Sequence, residues 1–182
     1  MLNKTRLSVL TLGILVAGTA SAASDNTINF QGEVAAQTCQ VTVNGNAANP
    51  TVLLPTVSTT DLTAAGATAG KTAFTIGVTG CEAPAEGAEL KISTVFVGNN
   101  VDTDGNLSNV AGTATNVALQ LLTPTSTVIN LNTPSETKDK AISLDAAATS
   151  GSADYFVQYV STAGSATAGS VVGSVQYALS YN

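Results

Sequence analysis

The residues with the most definite chemistry in this 182-residue chain are two cysteines, Cys39 and Cys81, and the most telling absence is histidine, of which there is none. Without an imidazole there is no His general base, no Ser-His-Asp arrangement and no His-containing metal site. Three weaker patterns remain. Asp102-Thr103-Asp104-Gly105-Asn106 opens like a calcium loop, but Leu107 stands at position six, where glycine is needed, and Thr113 at position twelve, where a bidentate Glu is needed. A plain turn is the better reading. Ser135-Glu136-Thr137-Lys138 spells S-x-x-K and Ser24-Asp25-Asn26 spells S-D-N, letters used by serine β-lactamases. Their order is reversed and the nearest K-T-G is Lys71-Thr72-Ala73, far upstream, so the match reads as chance. Glu82, Glu86 and Glu89 share a Pro/Gly segment and read as a solvated cluster before a weak cation site. No catalytic residue, metal or cofactor is expected.

The first residues place Lys4 and Arg6 ahead of an apolar run from Leu7 to Ala17, then Ala20-Ser21-Ala22. Residues 1–22 therefore read as a secretory signal peptide with a small-residue cleavage site. No later stretch reaches the roughly 18 to 20 apolar residues of a spanning helix, so no transmembrane segment is expected after cleavage. Residues 23–182 carry four lysines, no arginine and all twelve acids, a net charge of −8. With no basic patch to neutralise phosphates, nucleic acid is not an expected partner. An exported chain meets an oxidising compartment. A Cys39–Cys81 disulfide, closing a loop of roughly 43 residues, would stabilise it by about 4 kcal/mol, the alternative being two free buried thiols.

Composition is rich in Ala, Thr, Ser, Gly, Val and Asn and has no Trp, which favours short strands and polar turns over long helices. Alternation predicts strands at Asn26 to Ala36, Gln40 to Val43, Thr51 to Val57, Phe74 to Val78, Leu90 to Gly98, Asn116 to Thr123, Thr127 to Leu131, Ala141 to Leu144, Asp154 to Val160 and Val171 to Asn182. Ser58 to Ala73, with Gly66 and Gly70, reads as a loop with one possible helical turn at Asp61 to Ala65. Asp102 to Asn106 reads as a hairpin-like turn leading to a loop. Many short strands with turn signals between them make an all-β sandwich in one domain.

The two chain ends stand out. Val171, Gly173, Val175, Tyr177, Leu179 and Tyr181 share one parity, so the last strand has an apolar face up to the penultimate residue. At the other end Ile28, Phe30, Gly32, Val34 and Ala36 also alternate, before the first cysteine of the sandwich. A strand placed there either completes its own sheet or reaches another molecule.

Phe30-x-Gly32-x-Val34 with Cys39 after four more residues, Leu54-Pro55-x-Val57 with Leu62 and Gly66 beyond it, Phe74-x-Ile76 leading to Cys81, Gly169 fourteenth from the end and Tyr181 penultimate together form a specific combination. In these features the chain resembles the pilins of the chaperone-usher pathway, type 1 fimbrial family, and is most like a major structural pilin. The resemblance implies an incomplete immunoglobulin-like β-sandwich that lacks its last strand and is completed in trans by donor-strand complementation. It implies three parts: signal peptide 1–22, N-terminal extension or donor strand 23–37, and pilin domain 38–182. Ile28, Phe30, Gly32 and Val34 would be the donor residues. Gly169, Val171, Gly173, Val175, Tyr177, Leu179 and Tyr181 would form the groove edge, which a periplasmic chaperone occupies first. At the outer-membrane usher a neighbouring pilin subunit's donor strand would then replace the chaperone, building an adhesive fimbria on the bacterial surface.

Two other readings stand beside this one. A minor or adaptor pilin has the same pattern. From a different class, a secreted carbohydrate-binding sandwich would need an aromatic platform, for which Tyr155, Phe156 and Tyr159 are the available cluster, although their alternation reads more simply as core.

Overall fold

The computed structural model describes residues 39–47, 50–133 and 141–181, all within the compact unit Glu33–Asn182. The expected strand at Asn26 to Ala36 lies outside the described residues, as do the donor residues Ile28, Phe30, Gly32 and Val34 and the Ser135 to Lys138 pattern. Eight strands are described: β1 (Gln40–Val43), β2 (Thr68–Thr79), β3 (Leu90–Gly98), β4 (Leu107–Ser108), β5 (Val117–Leu122), β6 (Ile142–Leu144), β7 (Gly151–Ser161) and β8 (Val175–Tyr181). All pairings are antiparallel, in a five-stranded sheet ordered β1-β2-β7-β5-β4 and a three-stranded sheet ordered β6-β3-β8. This is the immunoglobulin-like sandwich anticipated from the sequence.

The core follows from the period of two. Phe74, Ile76 and Val78 of β2, Ala153, Tyr155 and Val157 of β7, and Ile92 and Phe96 of β3 are buried in one cluster. At its centre Phe96 meets the Tyr155 ring edge-on at 5.1 Å between centroids, and Phe74 stacks on Tyr155 at 6.0 Å, so aromatic contact joins the two sheets. Cys39 and Cys81 form the expected disulfide, fastening the chain just before β1 to the chain just after β2, with Cα atoms 4.6 Å apart.

Local turn chemistry agrees with the strand plan. Asn44 and Gly45 have φ of 50° and 78°, and Val43 and Asn46 exchange both backbone hydrogen bonds across them, the geometry expected of a two-residue Asn-Gly hairpin. Asp102 is a turn residue: its carboxylate accepts from the backbone N–H groups of Asp104 and Asn106, each at 2.9 Å.

Several boundaries differ from the sequence reading. β2 starts at Thr68, inside the expected loop Ser58 to Ala73, because a bulge between Ala69 and Thr72 lets the strand absorb Gly70. The helical turn there is a 3-10 helix at Thr59–Leu62, capped reciprocally by Ser58 and Asp61. Thr51 to Val57 joins no sheet among the described residues, and Pro55 within it has no N–H to give to a ladder. Thr127 to Leu131 reduces to an isolated bridge between Leu122 and Val128. The two-residue β4 was read as loop, and the last strand begins at Val175, four residues later than its parity suggested.

Gly70 tests this account. Its φ is +65°, and a Cβ would lie 2.9 Å from both the Tyr159 ring and Val57 Cγ1. Gly70→Ala is expected to cost about 1–3 kcal/mol from backbone strain plus crowding. Gly66, at φ +78° with open space around it, should cost only the backbone part when changed to Ala, about 1–2 kcal/mol. Thermal midpoints of the two full-length variants check the order; equal losses would refute the packing part of the argument.

Candidate functional site

Strand β8 lies at the edge of its sheet. One side of its backbone pairs with β3, from Ile92 opposite Tyr181 to Gly98 opposite Val175, and no described strand lies on the other. Its side chains alternate: Gln176 and Ala178 are exposed, while Val175, Tyr177, Leu179 and Tyr181 turn to the core yet stay half-buried. Half-burial at inward positions is the unusual feature, because a sandwich core normally covers that face fully.

A second half-buried row comes from residues 51–57. Val52 and Leu54 pack against the same core as β8, whereas Leu53 points outward and is 83% exposed. Two apolar rows, neither continued by a neighbouring strand among the described residues, therefore flank one core. Thr94, the ladder partner of Leu179 on β3, is fully buried, and its hydroxyl oxygen has no hydrogen-bond partner among the described residues.

At the β8 start a cavity of about 330 Å³ opens between residues 56–59 and 166–171. Val57, Leu62, Val117, Tyr159 and Val171 give it apolar walls, which belong to a small second cluster. Burial raises the pKa of the Tyr159 phenol, which stays neutral and suits an apolar lining. Gly169, on the rim, is there for close approach: a Cβ would sit 2.5 Å from the Ala114 nitrogen. Gly173 approaches Leu119 and Leu107 in the same way, at 3.1 and 3.2 Å. The other end of β8 is tied to the disulfide, since the Cys39 N–H donates to the Tyr181 hydroxyl at 2.9 Å. The domain thus has a cavity pole and a disulfide pole, with β8 running from the first to the second.

Of the residues expected at a groove edge, Val175, Tyr177, Leu179 and Tyr181 lie on β8, and Gly169, Val171 and Gly173 lie in the segment leading into it. Sequence reasoning missed the cavity and the role of residues 51–57 as an opposing lip. The inward parity of Val52 and Leu54 carries that signal, although alternation alone predicts a strand there. An aromatic platform for sugar is not formed: Tyr155 is 0% exposed in the core, and Phe156 lies on the opposite face beneath the Lys71 ammonium, 4.0 Å from the ring centre. Among the acids, Glu89 is held below the usual carboxylate range by hydrogen bonds from Lys91 and Ser143, while Glu82 and Glu86 are exposed. No helix among the described residues is long and apolar enough to cross a membrane.

Residues 28–182 match the family model described as "Fimbrial protein", and the chain belongs to that family. It is 40% identical over 187 residues to the F17 fimbrial protein of Escherichia coli, with 93% of this chain and 96% of that protein covered. It is 38% identical over 173 residues to the major fimbrial subunit SMF-1 of Stenotrophomonas maltophilia, covering 90% and 96%. The fold resembles the crystal structure of the P pilus rod subunit PapA, with a TM-score of 0.55 at 12% identity, covering 79% of this chain and 99% of that one.

The orphan Thr94 hydroxyl yields a measurable expectation. Thr94→Val keeps the shape and removes an unsatisfied buried group, so it should stabilise the domain by about 1 kcal/mol. A lower thermal midpoint for the full-length variant would show that the hydroxyl is satisfied in solution.

Proposed function

We propose that the protein is a structural subunit of a surface fimbria, polymerising when residues 26–36 of one copy add to the outer edge of β8 in the next. The observation that carries this reading is the row Val175, Tyr177, Leu179 and Tyr181, turned inward yet half-buried on an edge strand. The sheet is antiparallel throughout, so the added strand is taken to run antiparallel to β8. Ile28 then lies toward the Tyr181 end and Val34 toward the cavity pole, where Val57, Leu62 and Tyr159 can receive it. Burying Ile28, Phe30 and Val34 contributes roughly 5–9 kcal/mol, before ladder hydrogen bonds are counted. A contact from one end of a molecule to the groove of the next is head-to-tail and does not close, so it builds a fibre.

Gly32 falls between Phe30 and Val34 on the inward face of the added strand. Glycine weakens a strand, and its use here is explained if the groove is shallow at that point, allowing backbone approach without a Cβ. Before assembly the open edge is an aggregation hazard. The reading therefore includes a periplasmic chaperone that covers it, an outer-membrane usher at which the exchange happens, a signal peptide at 1–22 and a donor extension at 23–37.

Deleting residues 23–36 behind an intact signal sequence should leave a subunit that folds on its chaperone but adds nothing to a growing fibre. Gly32→Leu should block addition in the same way while leaving the chaperone-bound domain intact. Electron microscopy of surface filaments and recovery of the periplasmic complex check both. Normal filaments from the deletion would refute donor-strand assembly; normal filaments from Gly32→Leu alone would refute only the shallow-groove account.

A further inference from the structure

We infer that the rim of the cavity pole, centred on Val110 and Val172, is a second contact surface, and that its occupant is the disulfide pole of the neighbouring copy whose strand fills the groove. This rests on the donor-strand reading above. If Val34 of the neighbour lies in the cavity, its Cys39 follows after only Ala35, Ala36, Gln37 and Thr38. Five residue steps span at most about 17 Å even when fully extended. Cys39, the point at which the neighbour's folded domain is fastened to Cys81, is therefore held within about 17 Å of the cavity, so that its disulfide pole is the part of the neighbour nearest the cavity mouth.

The surface at that mouth suits such a contact. Val110 and Val172 are 65% and 50% exposed, large apolar side chains on adjoining loops. The loops are bound into one pad by Asn109. Its amide nitrogen donates to the carbonyls of Ala114 and Ser170 at 2.8 and 3.1 Å, and its amide oxygen accepts from the N–H groups of Gly112 and Val172 at 3.0 and 2.9 Å. A second pair of bonds, Thr113 N–H to Ser170 Oγ at 3.1 Å and Ser170 N–H to Thr113 Oγ1 at 3.0 Å, locks the same loops together. Gly112 has no room for a side chain, because a Cβ would collide with the Ser170 carbonyl. Pre-ordered loops lose little entropy on binding.

Charge points the same way. The chain carries twice as many acids as basic residues, yet residues 105–135 and 155–182, which include Val110, Val172 and the loops that Asn109 joins, contain no charged residue; the one acid near the opposite lip is Asp61. The neighbour's disulfide pole brings Glu82 and Glu86, exposed just beyond Cys81. Copies of one acidic protein meet with least repulsion where one of the two faces is uncharged.

The test uses full-length chains assembled into fibres. Val110→Cys, Val172→Cys and, as a control on the flank of the sheet, Val128→Cys (49% exposed) are each treated with a maleimide probe. The native cysteines are both in the disulfide, so each variant has one free thiol. Positions 110 and 172 should react at least about tenfold more slowly than 128, as expected of a solvent-excluded contact. Equal reactivity in fibres that still require residues 26–36 overturns the second contact and leaves donor-strand assembly standing. Fibres that form without residues 26–36 overturn donor-strand assembly and this inference with it. A Val110→Asp, Val172→Asp double variant supplies an independent readout: its fibres should come apart at lower detergent or temperature than the parent's, and unchanged resistance overturns the proposal.

Discussion

Every backbone N–H and C=O taken away from water needs a partner, and the outer edge of β8, beside which no described strand lies, is where that requirement bears hardest. Its outward neighbours Gln176 and Ala178 ask for nothing unusual. Its inward side chains, by contrast, pack against the core that holds Phe74, Phe96 and Tyr155 yet stay partly exposed. Such an edge is costly to keep bare and productive to cover, because one added strand would satisfy a ladder of polar groups and bury an apolar row together. The disulfide, the glycines of the rim and the separation into two poles all make sense as support for that edge.

Much of this was legible in residue order alone. Parts of β2, β3, β5 and β7 are legible because apolar residues fall on every second position (Phe74, Ile76 and Val78; Ile92 and Phe96; Val117, Leu119 and Leu121; Tyr155 and Val157), and each of these rows is buried. The disulfide was legible because two cysteines in an exported chain have few other uses. Other features depended on facts that are not local. Gly70 looks like a loop residue until Tyr159 and Val57 are seen pressed against it, when it becomes the pivot of a bulge. Residues 51–57 alternate as a strand does, but alternation reports which side is wet and not whether a partner strand is present. The start of β8 was placed early because Val171 and Gly173 continue its parity, although their surroundings are the cavity rim and the Leu107–Leu119 pair.

The candidate site shows the same division. The inward residues of β8 could be named from parity, while the cavity could not, since its walls come from residues spread between Thr56 and Val171. The aromatic cluster in β7 illustrates the opposite hazard. Tyr155, Phe156 and Tyr159 are near one another in sequence, yet the pleat sends Tyr155 into the core and Phe156 to the far face, under Lys71.

The disulfide has a mechanical meaning as well as a thermodynamic one. In a fibre under tension the pull on each subunit enters at Cys39. From there it can cross the sulfur–sulfur bond to Cys81 without stretching the chain between them, so β1, the lip at 51–57 and all of β2 lie outside the covalent load path. Cys39 also donates its N–H to Tyr181, at the far end of β8 from the cavity. In the donor-strand assembly proposed above, the force would therefore arrive along the strand edge beside the added segment, loading its hydrogen bonds in shear and all at once, rather than peeling them one by one.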